Sequence, residues 1–216
     1  MELTAYKDLI KQIPYREHSF ETKKEVWEGY QHNGHFGQFY NETFNTDPTI
    51  TISRGDVFNI ASKDATSGIF STILWGYPKG YTRGNNMDIL FPLFLEQVEY
   101  LSNLLSTKKH ITTGEMEQVL KTCKGIGLST LSKLLYFFNV KLESHGCLIF
   151  DTRIIGVLNN NQFTEFNSLV NIREHNKERF YPDYLKICAE LSAKHGYKPD
   201  QLELFLFLFG NNLKNQ

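Results

Sequence analysis

From Lys121 to Lys133 the chain runs Lys-Thr-Cys-Lys-Gly-Ile-Gly-Leu-Ser-Thr-Leu-Ser-Lys, a glycine, apolar, glycine turn directly before a helix start. Such a turn suits an anion. Gly125 and Gly127 permit unusual backbone angles and close approach, while the amides of Leu128, Ser129 and Thr130 and the helix dipole attract negative charge without a charged side chain. Lys121 and Lys124 flank the turn, and Ile126 is expected to point inward and anchor it. Taken alone, the pattern describes either a backbone-phosphate site or a sharp corner between two helices. A second element, Cys147-Leu-Ile-Phe-Asp151-Thr-Arg153, sets a carboxylate at the start of the next helix after an apolar approach. Aspartate there is a favoured cap. A fixed carboxylate can also do electrostatic or acid–base chemistry, and the two roles can coexist.

Together, Gly125-Ile126-Gly127-Leu128-Ser129-Thr130 and Phe150-Asp151-Thr152-Arg153 resemble the signature of the helix-hairpin-helix DNA glycosylase superfamily, which includes endonuclease III and the 8-oxoguanine glycosylases. The match covers Cys123 to Arg153, with a slightly longer loop around Lys141 to Gly146 than the family has. It implies a mostly α, two-lobed helical fold with a cleft between the lobes, acting on DNA without a cofactor. Asp151 would be the catalytic residue, stabilising positive charge on the sugar as the base departs. Lys124, Gly125, Gly127, Ser129, Thr130 and Arg153 would contact the DNA backbone, Arg153 standing where the family places a histidine. Members that also cut the strand carry a lysine two residues past the second hairpin glycine. Ser129 occupies that position, which implies a monofunctional enzyme that leaves an abasic site. Lys133, one helical turn beyond on a similar face, is the alternative nucleophile.

Such enzymes extrude the target nucleotide and hold its base between aromatic or apolar side chains. Trp75, Tyr77 and Tyr81, beside Lys79 and Arg83, are the candidate pocket, with core and loop roles as the alternative. Phe205 and Phe209, at i and i+4 on the last helix, are candidates for its floor or for plain core. The resemblance implies an oxidised purine as substrate; an alkylated base and a hypermodified phage-type base, the latter in antiviral defence, are the alternatives. The competing function is a noncatalytic DNA-binding module using the same hairpin.

The surrounding elements read as helices over 3–13, 20–32, 64–75, 86–105, 114–121, 128–138, from 151, 181–194 and 199–209. Residues 46–60 alternate β-branched types around Pro48 and Gly55 and read as a loop or short strand pair. The stretch 76–86, rich in glycine, reads as a surface loop. The whole is expected to be one domain over 1–216, with a hairpin lobe of about 86–160 and a second lobe from about 1–85 and 161–216.

Bulk composition narrows the classes. A net charge of −1 argues against holding nucleic acid by bulk electrostatics, so modest, salt-sensitive affinity is expected. Aromatic residues make up 14% of the chain, which serves a core first and base stacking second. Three widely spaced cysteines build neither a disulfide framework nor an iron-sulfur site, so the cluster of endonuclease III is excluded. His18, His32 and His35 lack a matching ligand pattern, and no metal is expected. No run reaches the roughly 18 apolar residues of a membrane helix. A cytoplasmic monomer is expected.

Overall fold

The computed structural model describes residues 1–80 and 87–213. Among them the helices are α1 (Lys7–Gln12), α2 (Lys24–Trp27), α3 (Gly34–Phe44), α4 (Arg54–Ala61), α5 (Ala65–Gly76), α6 (Met87–Leu95), α7 (Val98–Thr107), α8 (Thr113–Thr122), α9 (Leu128–Phe137), α10 (Thr152–Asn159), α11 (Lys177–His195) and α12 (Pro199–Phe209). The strands are β1 (Ser19–Lys23), β2 (Thr49–Ser53), β3 (His110–Ile111), β4 (Lys141–Leu142) and β5 (His145–Gly146). The mostly α expectation holds. No helix among the described residues is long and apolar enough to cross a membrane.

Side-chain caps start several helices. Ser53 and Asp56 form a capping box on α4, as Thr112 and Glu115 do on α8, and Asp64 accepts from the Ser67 amide to open α5. Gly196, at φ 72°, closes α11 in the left-handed conformation. The interior is built around α5 and α9. Every residue of α5 from Gly68 to Trp75 is buried, as is every residue of α9 from Thr130 to Phe137.

Three expectations fail here. Residues 20–32 are not one helix: Ser19–Lys23 pairs antiparallel with Thr49–Ser53, matching Phe20 with Ile52. That pairing spans a separation which local periodicity does not register. Thr22 fixes the strand, donating to the Pro78 carbonyl at 2.8 Å and accepting from Trp27 Nε1 at 2.8 Å. The strand expected within 46–60 exists, but Arg54–Ala61 is helical, started by the Ser53 cap. Residues 86–105 divide into α6 and α7 around Glu96 and Gln97.

Candidate functional site

The turn between α8 and α9 has the shape its sequence implies, with one correction. Gly125 lies at φ 79°, and a Cβ there would stand 2.9 Å from the Leu90 carbonyl oxygen, so both backbone conformation and the close approach of α6 require glycine. Gly127 caps α9 at φ −100°, ordinary extended backbone, so no unusual angle explains it. What it leaves open is space: a Cβ would stand 3.9 Å from Lys177 Nζ. Ile126 is buried, as expected, and Lys124 is exposed.

The first amides of α9 have no carbonyl within the helix to bond. Those of Thr130 and Leu131 both donate to Gly127 O at 3.0 Å, so Leu128 and Ser129 present the free ends of the dipole. The Thr130 side chain is buried and hydrogen-bonded with the Tyr77 hydroxyl at 2.6 Å. Lys177, which the sequence reading missed, brings a cation beside the turn from the start of α11. It is 6% exposed and pairs with the exposed Glu174.

Asp151 is the cap of α10. Its Oδ1 accepts from the amides of Arg153 at 2.9 Å and Ile154 at 3.1 Å. It also lines a cavity of about 50 Å³ together with Lys133, Gly76, Trp75, Phe207 and the pair Arg54 and Glu203. Lys133 is thus brought to Asp151. Its side chain is 4% exposed, and Nζ donates to Ser129 O at 3.1 Å and Ser129 Oγ at 3.0 Å, 5.2 Å from the Tyr77 ring centre. Gly76 makes room for it: a Cβ there would come within 2.9 Å of Lys133 Cδ.

Behind the carboxylate lies a charged floor. Arg54 donates to Glu203 through Nη1 at 2.5 Å and Nη2 at 3.2 Å, and both residues are fully buried. Burial alone would lower the guanidinium pKa, but Glu203 and Tyr136 outweigh it and hold Arg54 charged. Replacing such a pair by apolar side chains is often neutral or stabilising, so the pair is weak as a stability device. It bounds the Asp151 cavity instead.

Of the aromatic residues singled out, Trp75 lines the Asp151 cavity and stacks on Arg54 at 5.2 Å. Tyr77 packs under Lys133. Phe205 is core, 5.3 Å from Tyr6 and 6.1 Å from Phe163 between ring centres. Phe209 lines a separate cavity of about 470 Å³. Tyr81 and Arg83 lie outside the described residues. The cavity wall that α12 supplies is Phe207, over which Arg153 lies at 4.6 Å, with Glu203 one turn earlier. The aromatic stripe on this helix was legible, but its cavity-facing row lies two residues from the row chosen. His32 and His35 are exposed, and no group of metal-ligating side chains gathers among the described residues.

A family model described as "Putative 8-oxoguanine DNA glycosylase OGG-like protein" matches residues 13–207. No curated protein and no solved structure matches the chain.

Proposed function

The chain belongs to this 8-oxoguanine DNA glycosylase OGG-like family, and from that premise we propose that it excises a damaged or modified base from DNA through Asp151 and Lys133. One observation carries this reading: the two residues line the same cavity. The C1′–N bond breaks with its electron pair leaving on the base, which takes up a proton. The positive charge left on the sugar faces the Asp151 carboxylate, which stabilises it and orients the incoming nucleophile.

The nucleophile decides between two outcomes. With water, the product is an abasic site and an intact strand, the outcome that Ser129 implied. With Lys133, the amine forms a bond to C1′ and releases a proton to Asp151. The C1′–O4′ bond then breaks as O4′ takes that proton from Asp151, leaving an imine; loss of a C2′ proton to water forms the C2′–C3′ double bond and expels the 3′ phosphate with the C3′–O pair. Burial of Lys133 in the Asp151 cavity favours the second outcome, because a solvated lysine needs neither the room left by Gly76 nor the anchor of Ser129. The hairpin amides with Lys124 and Lys177 would hold one backbone phosphate and Arg153 another. An oxidised purine is the first substrate class to test and a hypermodified phage-type base the second.

Duplexes carrying single modified bases, incubated with the enzyme and then treated with alkali, report base release. Borohydride added during the reaction traps any imine. Wild type should release a base and form the trapped adduct, and Lys133→Gln should lose the adduct. Base release with no adduct selects the water route, and no release from any duplex rejects the glycosylase reading.

A further inference from the structure

The cavity holding Asp151 and Lys133, at about 50 Å³, has room for one or two waters at roughly 30 Å³ each and not for a nucleobase. Close by lies the cavity of about 470 Å³, within the roughly 300 to 1,000 Å³ range of small-molecule sites. Its walls include Ile13, Pro14, Leu204 and Leu208, with His18 among the few polar groups. Helix α12 serves both spaces. Glu203 and Phe207 face the small cavity while Leu204 and Leu208 line the large one, adjacent rows on one helix surface.

His18 is the partition between them. Its ring lies 4.8 Å from Phe20, 5.7 Å from Trp75 and 5.5 Å from Phe207, the three aromatic walls of the small cavity, while its own side chain lines the large one. Its backbone is tied down: the His18 carbonyl accepts from Trp75 Nε1 at 3.3 Å and from the Arg54 amide at 2.9 Å. Its side chain is not. Nδ1 is buried and has no hydrogen-bond partner, a condition rare enough to need an explanation.

Resting on the glycosylase reading above, we propose that His18 admits and reads the extruded base. Its ring turns toward the large cavity, a purine-sized base enters among Phe20, Trp75 and Phe207, and Nδ1 bonds to the edge of that base. Burial and the cations Arg54 and Arg153 push its pKa down to about 4, so the imidazole meets the base uncharged, with one nitrogen donating and one accepting. A neutral ring surrounded by aromatic faces turns without breaking an ion pair or a hydrogen bond.

The test separates seating a base from gripping DNA. His18→Phe keeps a flat ring and removes both nitrogens; His18→Asn keeps a hydrogen-bonding edge. Each full-length variant is assayed for single-turnover base release from the best-cleaved duplex of a panel carrying 8-oxoguanine, hypoxanthine or an alkylated purine. Each is also assayed for affinity to a duplex with a tetrahydrofuran abasic analogue, which has no base to seat. His18→Phe should slow release about tenfold, the effect of losing one hydrogen bond, with abasic-analogue affinity unchanged and partial recovery in His18→Asn. Release at the wild-type rate by a folded His18→Phe overturns the proposal, as does an equal loss of abasic-analogue affinity. A wild type that releases no base from any duplex overturns the glycosylase reading itself.

Discussion

Ser132 Oγ accepts the amide of Phe150 at 3.0 Å in a fully buried setting. The same hydroxyl donates to the Ser129 carbonyl at 3.2 Å, which also accepts from Lys133. One serine thereby joins the helix that carries the lysine to the residue before Asp151. Ser132→Ala leaves the Phe150 amide buried and unpaired, and should lower stability by about 1–3 kcal/mol. Since it also frees Asp151 to drift from Lys133, base release by the folded fraction should fall as well. Urea titration and single-turnover assays read the two effects. Unchanged turnover in Ser132→Ala would show that this tie carries no part of the site's geometry.

Capping and catalysis by Asp151 separate with two substitutions. Asparagine caps a helix about as well as aspartate, so Asp151→Asn should keep the bonds to Arg153 and Ile154, leave Tm nearly unchanged and abolish base release. Asp151→Ala should lose activity equally and about 0.5–2 kcal/mol of stability besides. An active Asp151→Asn enzyme reduces this residue to a cap.

Gly76→Ala probes the lysine without touching it. Its Cβ would press on Lys133 Cδ, the middle of a confined side chain, while the α9 amides and Arg153 stay in place. Trapped imine should fall about tenfold or more, as a misplaced reacting group predicts, with affinity for abasic-analogue DNA unchanged. Equal losses in both would point to a general disturbance of α5 and away from a displaced nucleophile.

What could be read from the chain alone follows from which contacts are local. The α8 and α9 pair, the buried Ile126 and the Asp151 cap are written within a few residues of one another, and each stands in the structure as expected. Strand β1 was misread because its partner is β2, and Arg54 was passed over because its partner Glu203 is far along the chain. Lys177 reaches the turn at Gly127 from α11, which no spacing rule connects to it. Sequence order made Ser129 the focus at the lysine position of the family, whereas the cavity wall is Lys133, one turn deeper.

His18 predicts a limb in the stability–pH curve. The unfolded chain takes up a proton near pH 6.5, whereas the folded chain, with burial and then Arg54 and Arg153 opposing charge, takes it up only near pH 4. Between those values the unfolded state binds more protons, so stability rises with pH. The contribution is complete above 6.5 and disappears as pH falls toward 4. His18→Phe should therefore lose less Tm than wild type between pH 7 and pH 4.5, and equal losses would mean that His18 is not held neutral.

The two hairpin glycines should respond differently to the same substitution. Gly125→Ala places a Cβ on a residue at φ 79° and against the Leu90 carbonyl, costing about 1–2 kcal/mol from the backbone alone; Tm and DNA affinity should fall together. Gly127→Ala meets neither obstacle. Its backbone is extended and its Cβ clears Lys177 Nζ, so stability should fall by only about 0.5–1 kcal/mol, the cost of alanine at a helix cap. The new methyl group nevertheless stands 3.9 Å from that ammonium at the start of α9, where the phosphate is proposed to sit. Affinity for an abasic-analogue duplex should therefore drop in Gly127→Ala, and the slope of log affinity against log salt should become shallower as a phosphate contact is lost. A Gly127→Ala protein that binds like wild type at every salt concentration would leave the turn as a corner between helices and move the phosphate contacts elsewhere.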